Sequence, residues 1–192
     1  MGVEKIDTKS KILDIAEGFI VQGGYNAFSF RDIAEAVGIK SASVHYHYST
    51  KADLVSAVMA RYTESFFRQL PDPTDESLDP KIMINGFIDG FKAKIVDQRD
   101  MSLCTMLTSN KGILPESVGH ELAAFYQFLL DWLSRIFVRL EKIDEDSGLI
   151  QASQLLACLH GASILVQGTD KPDFFDKALS RWKAHCLPSS LL

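Results

Sequence analysis

The chain has 192 residues, 20 basic against 25 acidic side chains, a formal net charge of −5 and 46% hydrophobic residues. That apolar share is ample for a real core, and the length suits one helical protein of two units, a small one and a larger one. The acidic balance argues mildly against nucleic-acid binding. Between Met1 and Leu54 six basic side chains (Lys5, Lys9, Lys11, Arg31, Lys40, Lys51) stand against seven acidic ones, so no strongly basic domain of the kind that grips nucleic acid without regard to sequence is present there.

No stretch reads as apolar enough to span a bilayer, and the start MGVEKIDTKSK lacks the apolar core of a signal peptide, so a soluble, cytoplasmic protein is expected. Cys104, Cys158 and Cys186 are odd in number and have no metal-ligand spacing, which fits free thiols in a reducing compartment. His120, His160 and His185 are far apart and lack paired metal spacing, and no Gly-rich phosphate loop appears, so neither a metal nor a cofactor is expected.

In chain order, the first predicted helix runs from about Thr8 to Gln22, with Ile12, Leu13, Ala16, Phe19 and Ile20 on one face and Gly23-Gly24 ending it. Ser29 is placed to cap a second helix, and Asp32 sits three residues on, where a carboxylate suits the positive end of the dipole. Ile33, Ala34 and Val37 form its apolar stripe, Gly38 stands where a left-handed residue stops the helix, and Ile39 is expected to plug the turn into the core. A glycine-containing turn of this kind joins helices at a steep angle.

The third helix is short, from Lys40 or Ser41 to His47. Val44 is its one strong apolar anchor, helped by Tyr48, while Ser41, Ala42, Ser43, His45 and Tyr46 are left for the outer face. Small polar groups around a single inward anchor suit the major groove, where bases present donors, acceptors and methyl groups. Ser49 or Thr50 then caps a long helix with Lys51 in its first turn. A cation there opposes the dipole unless a phosphate docks at the helix start.

The remaining elements are also helical. Leu54, Val55, Val58, Tyr62 and Phe66 mark a long helix to about Leu70, followed by a loop at Pro71 to Glu76. Helices are predicted at 80–96, 101–109, 117–142 and 147–167, and a last one begins at Pro172. The helix 117–142 is apolar nearly all round and should be buried on most sides. The last two look too apolar for a monomer surface.

Residues Thr8 to Leu54 resemble the DNA-binding domain of the TetR/AcrR family of bacterial transcriptional regulators. The resemblance rests on Gly24-Tyr25, Arg31-Asp32-Ile33-Ala34, Gly38-Ile39, Tyr46-His47-Tyr48 and Thr50-Lys51 to Leu54, all in order and spacing. The chain departs from the family pattern at Ala42, His45 and Tyr48, where Gly, Tyr and Phe are usual. His45 puts a smaller, titratable group on the reading face.

The resemblance implies an all-α fold. An N-terminal three-helix helix-turn-helix domain, residues 1–50, joins a C-terminal helical effector-binding and dimerisation domain, residues 51–192. It also implies a homodimer through the last two helices, double-stranded operator DNA as partner, and relief of repression by a small apolar or reactive effector. Ser29, Arg31, Tyr46 and Lys51 are expected to hold phosphates, with Lys40 beside them. Ser41, Ala42, Ser43 and His45 are expected to face bases. Lys5, Lys9 and Lys11 are candidates for a basic arm beside the reader.

The expected effector pocket comprises Phe87, Phe91, Leu103, Cys104, Leu107, Phe125, Phe128 and Trp132, though such stripes also serve plain packing. Cys104 is a candidate redox or electrophile sensor, but no Lys, Arg or His is adjacent to lower its pKa, so a small buried hydrophobe is the competing reading. Two other classes remain: a non-DNA helical scaffold, and a small-molecule enzyme for which no acid, base or nucleophile cluster speaks.

Overall fold

The computed structural model describes residues 7–186, with side chains through Lys183. Lys5 and the side chains of His185 and Cys186 lie outside the described residues. Within them every regular element is helical: α1 (Thr8–Gly23), α2 (Phe30–Val37), α3 (Ser41–His47), α4 (Lys51–Arg68), α5 (Pro80–Lys92), α6 (Leu103–Ser109), α7 (Glu116–Glu141), α8 (Glu145–Thr169) and α9 (Asp173–Cys186). A π-helical turn, Ala93–Asp97, continues α5, and a 3₁₀ turn, Lys111–Ile113, follows α6.

The helix ends follow local side-chain chemistry. Ser29 and Asp32 form a reciprocal capping box at α2, and Gly38 ends that helix in the left-handed region at φ 79°. Thr50 and Asp53 cap α4 in the same reciprocal way, Asp53 N–H to Thr50 Oγ1 at 3.1 Å and Thr50 N–H to Asp53 Oδ2 at 2.9 Å. The eighth helix begins two residues before Ser147, because Asp144 is the cap: its carboxylate accepts Ser147 N–H at 2.8 Å.

The chain packs as two compact units. The first takes residues up to Arg68 together with Ser102–Phe125, and the second takes Gln69–Met101 and the chain from Tyr126 onward. These packing units cut the chain differently from the functional division expected at residue 50. The reason is that α4 continues the reader's core, burying Leu54, Val55, Val58 and Met59.

In the first unit, Ile12, Leu13, Ala16 and Ile20 of α1 are buried, as are Ile33 and Ala34 of α2, Val44 of α3, and Leu103 and Leu107 of α6. Ile39, expected in the core, is only half-buried. Arg61 ties α4 to α1, its guanidinium reaching Asp14 at 2.6 Å and Glu17 at 3.0 Å. Tyr62, Phe66 and Phe67 of α4 gather around Phe125, with ring centroids 5.4–5.6 Å from it.

In the second unit, Leu129, Trp132, Leu133, Ile136 and Phe137 of α7 pack inward, with Phe175 and Leu179 of α9 also buried. Arg139 holds the α4–α5 connection by donating to the carbonyls of Pro73, Asp75 and Leu78. Trp132 Nε1–H adds a bond to Pro71 O at 2.9 Å. Asp176 of α9 bridges Lys92 at 2.6 Å and Lys183 at 2.9 Å, and these cations hold its carboxyl below the usual range. Gly148 lets α8 lie tightly on α7: a Cβ there would fall 2.7 Å from Val138 Cγ2 and 2.9 Å from Ser134 O.

Contrary to the sequence expectation, one helix is long and apolar enough to cross a membrane. An 18-residue window of α8 has a mean hydropathy of 1.5. Its buried residues, Ala152, Leu155, Leu156, Leu159, Ala162 and Val166, instead belong to the second unit's core. A core helix passes the same test of length and composition.

Candidate nucleic-acid interface

The short third helix carries the geometry of a reader. Val44 is completely buried and Tyr48 is 6% exposed, so α3 is pinned from one side. Lys40, Ser41, Ala42, His45 and Tyr46 are exposed and Ser43 is half-buried. Among the described residues Tyr46 is the most open large apolar side chain, 86% exposed, which no packing requirement explains. His45 is not loose on this face, because its ring sits edge-on to Phe30 of α2 with centroids 4.6 Å apart. Tyr46 and His47 form a similar edge pair at 5.3 Å. Thr8, Ile39, Lys40, Ala42, Ser43 and Tyr46 border a shallow hollow of about 400 Å³ on this side.

The flanking groups divide into those left open and those already engaged. Arg31 and Lys40 are exposed, and so are Lys9 and Lys11 at the start of α1. The Ser29 hydroxyl donates to Asp32 Oδ2 at 2.7 Å, so its proton is occupied by the cap. The bonds from Ser29 lower the Asp32 pKa first, with Arg31 and Lys51 adding to the effect.

Lys51 departs furthest from the sequence expectation. Its ammonium donates to the carbonyl of Phe28 and lies 4.3 Å from the Phe28 ring centroid and 4.9 Å from that of Tyr25. Burial pushes its pKa down, with Asp32 opposing. The cation at the start of α4 thus finds an inward carbonyl and two aromatic faces, where the sequence reading placed a phosphate.

The Tyr48 hydroxyl is buried without a hydrogen-bond partner among the described residues, and burial raises its pKa. Sequence reasoning missed Asn110, whose Oδ1 accepts Tyr25 N–H at 2.7 Å from 85 residues away. No local signal marks such a pair.

The expected pocket residues fall in both units. In the first, Leu103, Cys104, Leu107 and Phe125 are all buried. In the second, Phe87 and Trp132 are buried with ring centroids 5.6 Å apart, and Phe91 meets His160 edge-on at 5.5 Å. Phe128 lies on the outside, 54% exposed, because α7 buries the stripe through Leu129 and Trp132 instead. Phe87 and Trp132 border a cleft of about 290 Å³ with Leu70, Pro71, Ile82 and Met83. Cys104 is 1% exposed, and burial drives its thiol far above the ordinary range. Among the described residues no group of three His, Cys, Asp or Glu could hold a metal ion.

Comparison with known proteins bears on the whole chain. The family description "Bacterial regulatory proteins, tetR family" matches residues 12–58. A solved TetR transcriptional regulator from Legionella pneumophila is 32% identical, with a TM-score of 0.83 over 92% of this chain and 95% of that one. This chain belongs to the TetR family of transcriptional regulators.

Among curated relatives of this TetR-family chain, the transcriptional repressor KstR2 of Mycobacterium tuberculosis is 27% identical over 86 residues, 44% of this chain and 43% of that repressor. The chain thus spans less than half the length of KstR2. The biofilm-operon negative regulator IcaR of Staphylococcus epidermidis is 28% identical over 131 residues, 67% of this chain and 69% of IcaR.

Proposed function

We propose that the protein is a cytoplasmic, homodimeric repressor whose two α3 helices read the halves of a near-palindromic operator. The observation that carries this reading is the solvent-facing side of α3, with Tyr46, His45 and Ala42 open while Val44 alone is buried. Arg31, Lys40 and Tyr46 hold phosphates, which fix position; Ser41, Ala42, Ser43 and His45 meet base edges, which carry sequence. Repressors among its relatives, KstR2 and IcaR, support the sign of regulation.

The dimer reading rests on α8. Leu149, Ile150, Ile164 and Leu165 are 41–59% exposed and share a helical side with the small exposed residues Ser153, Ala157 and Gly161. The outer side of α9 is polar instead, with Asp173 and Lys177 paired at 2.7 Å, so α8 supplies the apolar surface of the interface. A two-fold protein also matches two half-sites.

The effector is a small apolar molecule taken up by the helical sensor. It opposes operator binding through a coupling free energy of about 1–3 kcal/mol. The cleft beside Phe87 and Trp132 supports an apolar ligand. The buried Cys104 thiol gives no support to a reactive one.

The test is a mobility shift on the intergenic DNA beside the gene, with Tyr46→Ala as the control. A shift by the wild type that Tyr46→Ala weakens is expected. An unshifted probe at low salt overturns the reading in favour of a scaffold. Turnover of a small molecule without any DNA binding would replace it with an enzyme.

A further inference from the structure

We propose that Asn110, at the C-terminal end of α6, is a positioning residue for the DNA reader and acts through the α1–α2 turn. The inference rests on the DNA-reading function proposed above. Asn110 is itself fixed at the backbone: its N–H donates to Leu107 O at 3.0 Å, and its carbonyl accepts Ile113 N–H at 2.9 Å. From that anchorage the carboxamide Oδ1 accepts Tyr25 N–H at 2.7 Å.

The turn it holds is shaped around it. Gly24 is buried and adopts φ 78° with ψ −166°, a region essentially confined to glycine. A Cβ at Gly24 would fall 2.1 Å from Asn110 Oδ1. The Asn110 carboxamide therefore occupies the volume that any side chain at position 24 would need. Backbone conformation and hydrogen bond specify one another, since the turn is open to the carboxamide only with glycine there.

From this joint a chain of direct contacts leads to the reading helices. The ring of Tyr25 faces the Lys51 ammonium. Lys51 donates to the carbonyl of Phe28. The next residue, Ser29, caps α2, and Phe30 at the head of α2 bears on His45 of the reading face. The side chain that follows the last turn of α6 thereby sets the start of α2 and, through Phe30, the orientation of a base-facing residue. All of these groups lie in the first packing unit.

The test separates an oxygen acceptor from mere bulk. Asn110→Leu keeps the volume and removes the acceptor, whereas Asn110→Asp keeps an oxygen in place for Tyr25 N–H. Binding is measured on a DNA fragment selected by the wild-type protein from a random-sequence library. In parallel, amide hydrogen exchange is followed in the free protein by NMR.

Asn110→Leu should weaken operator binding about tenfold, the square of a roughly threefold loss of competent readers per subunit. Asn110→Asp should bind within about twofold of the wild type. In the free protein, exchange at Tyr25 and through Phe30–Val37 should quicken in Asn110→Leu only, with α8 unchanged in both variants. Equal binding and equal exchange in the two variants would overturn the proposal. So would exchange that quickens everywhere in Asn110→Leu, because that marks general destabilisation. If the wild type selects no DNA at all, the DNA-reading function fails by itself, and the exchange comparison still decides whether Asn110 positions α2.

Discussion

Replacing Lys51 with Met separates two roles that a lysine at the start of α4 can play. As a phosphate contact, it would release counterions on binding. Each neutralised phosphate contributes about −0.9 to the slope of log affinity against log salt, so losing one per subunit flattens a dimer's slope by about 1.8. The structure places the ammonium elsewhere, on the Phe28 carbonyl and between the rings of Tyr25 and Phe28. A hydrogen bond to a charged group and a cation–π contact, discounted for the half-exposed setting, amount to about 1–2 kcal/mol. Methionine keeps the aliphatic stem against the rings and deletes only these terms. The expected outcome is a salt slope unchanged from wild type with a melting temperature lower by about 2–8 °C. Lys40→Ala should do the reverse, flattening the slope by about 1.8 with little effect on melting. The measurement is fluorescence anisotropy on an operator fragment across a salt series, with thermal unfolding alongside. A Lys51→Met protein that flattens the slope as Lys40→Ala does, and melts like wild type, would refute the inward assignment.

Val44→Ala removes two methyl groups from a fully buried site on a seven-residue helix, which should cost about 1.5–3 kcal/mol in urea unfolding and weaken operator binding with it. Cys104→Ser should leave any release of DNA by oxidants unchanged, and native-state alkylation should spare Cys104 while reaching the half-exposed Cys158. His160, whose pKa burial lowers from 6.5, stays neutral in the folded protein while the unfolded chain takes up protons. Stability should therefore be full above about pH 6.5 and decline as pH falls from there towards the depressed folded value. His160→Phe should remove that slope from a melting-temperature series over pH 5–8, and an unchanged slope would place the titration elsewhere.

What the sequence made legible is what neighbouring residues decide. The Ser29–Asp32 box, the left-handed Gly38 and the inward Val44 each depend on residues within a turn or two of themselves, so the reader's helices are legible from the sequence. The all-helical fold and the TetR-family membership follow from the same local signals. The fate of Lys51 was not legible, because its partner Phe28 lies 23 residues away and its alternative partner, a phosphate, is favoured by the local dipole. Asn110 was hidden more deeply. It sits in an unremarkable connection, and only the folded chain brings it to Gly24 and Tyr25. Phe128 was misplaced for another reason: a helix with apolar groups all round has no unique inner face until its neighbours choose one.

The charges left after folding limit how the proposed repressor can bind. With Ser29 occupied by Asp32 and Lys51 turned inward, the exposed cations near the reading face among the described residues are Arg31 and Lys40, with Lys9 and Lys11 at the start of α1. So small a set gives one reader little non-specific hold and a shallow dependence on salt. Ser41, Ala42, Ser43 and His45 include no Arg, Asn or Gln, the side chains that make bidentate base contacts. A single reader of this composition is weak by both routes, and useful affinity must come from two acting together, where the second binding step becomes intramolecular. Occupancy then depends on the spacing of the two readers more steeply than on any one contact. In the proposed dimer, an effector that misaligned the readers would need only a modest differential affinity to clear the operator, and the proposed joints at Lys51 and Asn110 would gain their importance from that arithmetic.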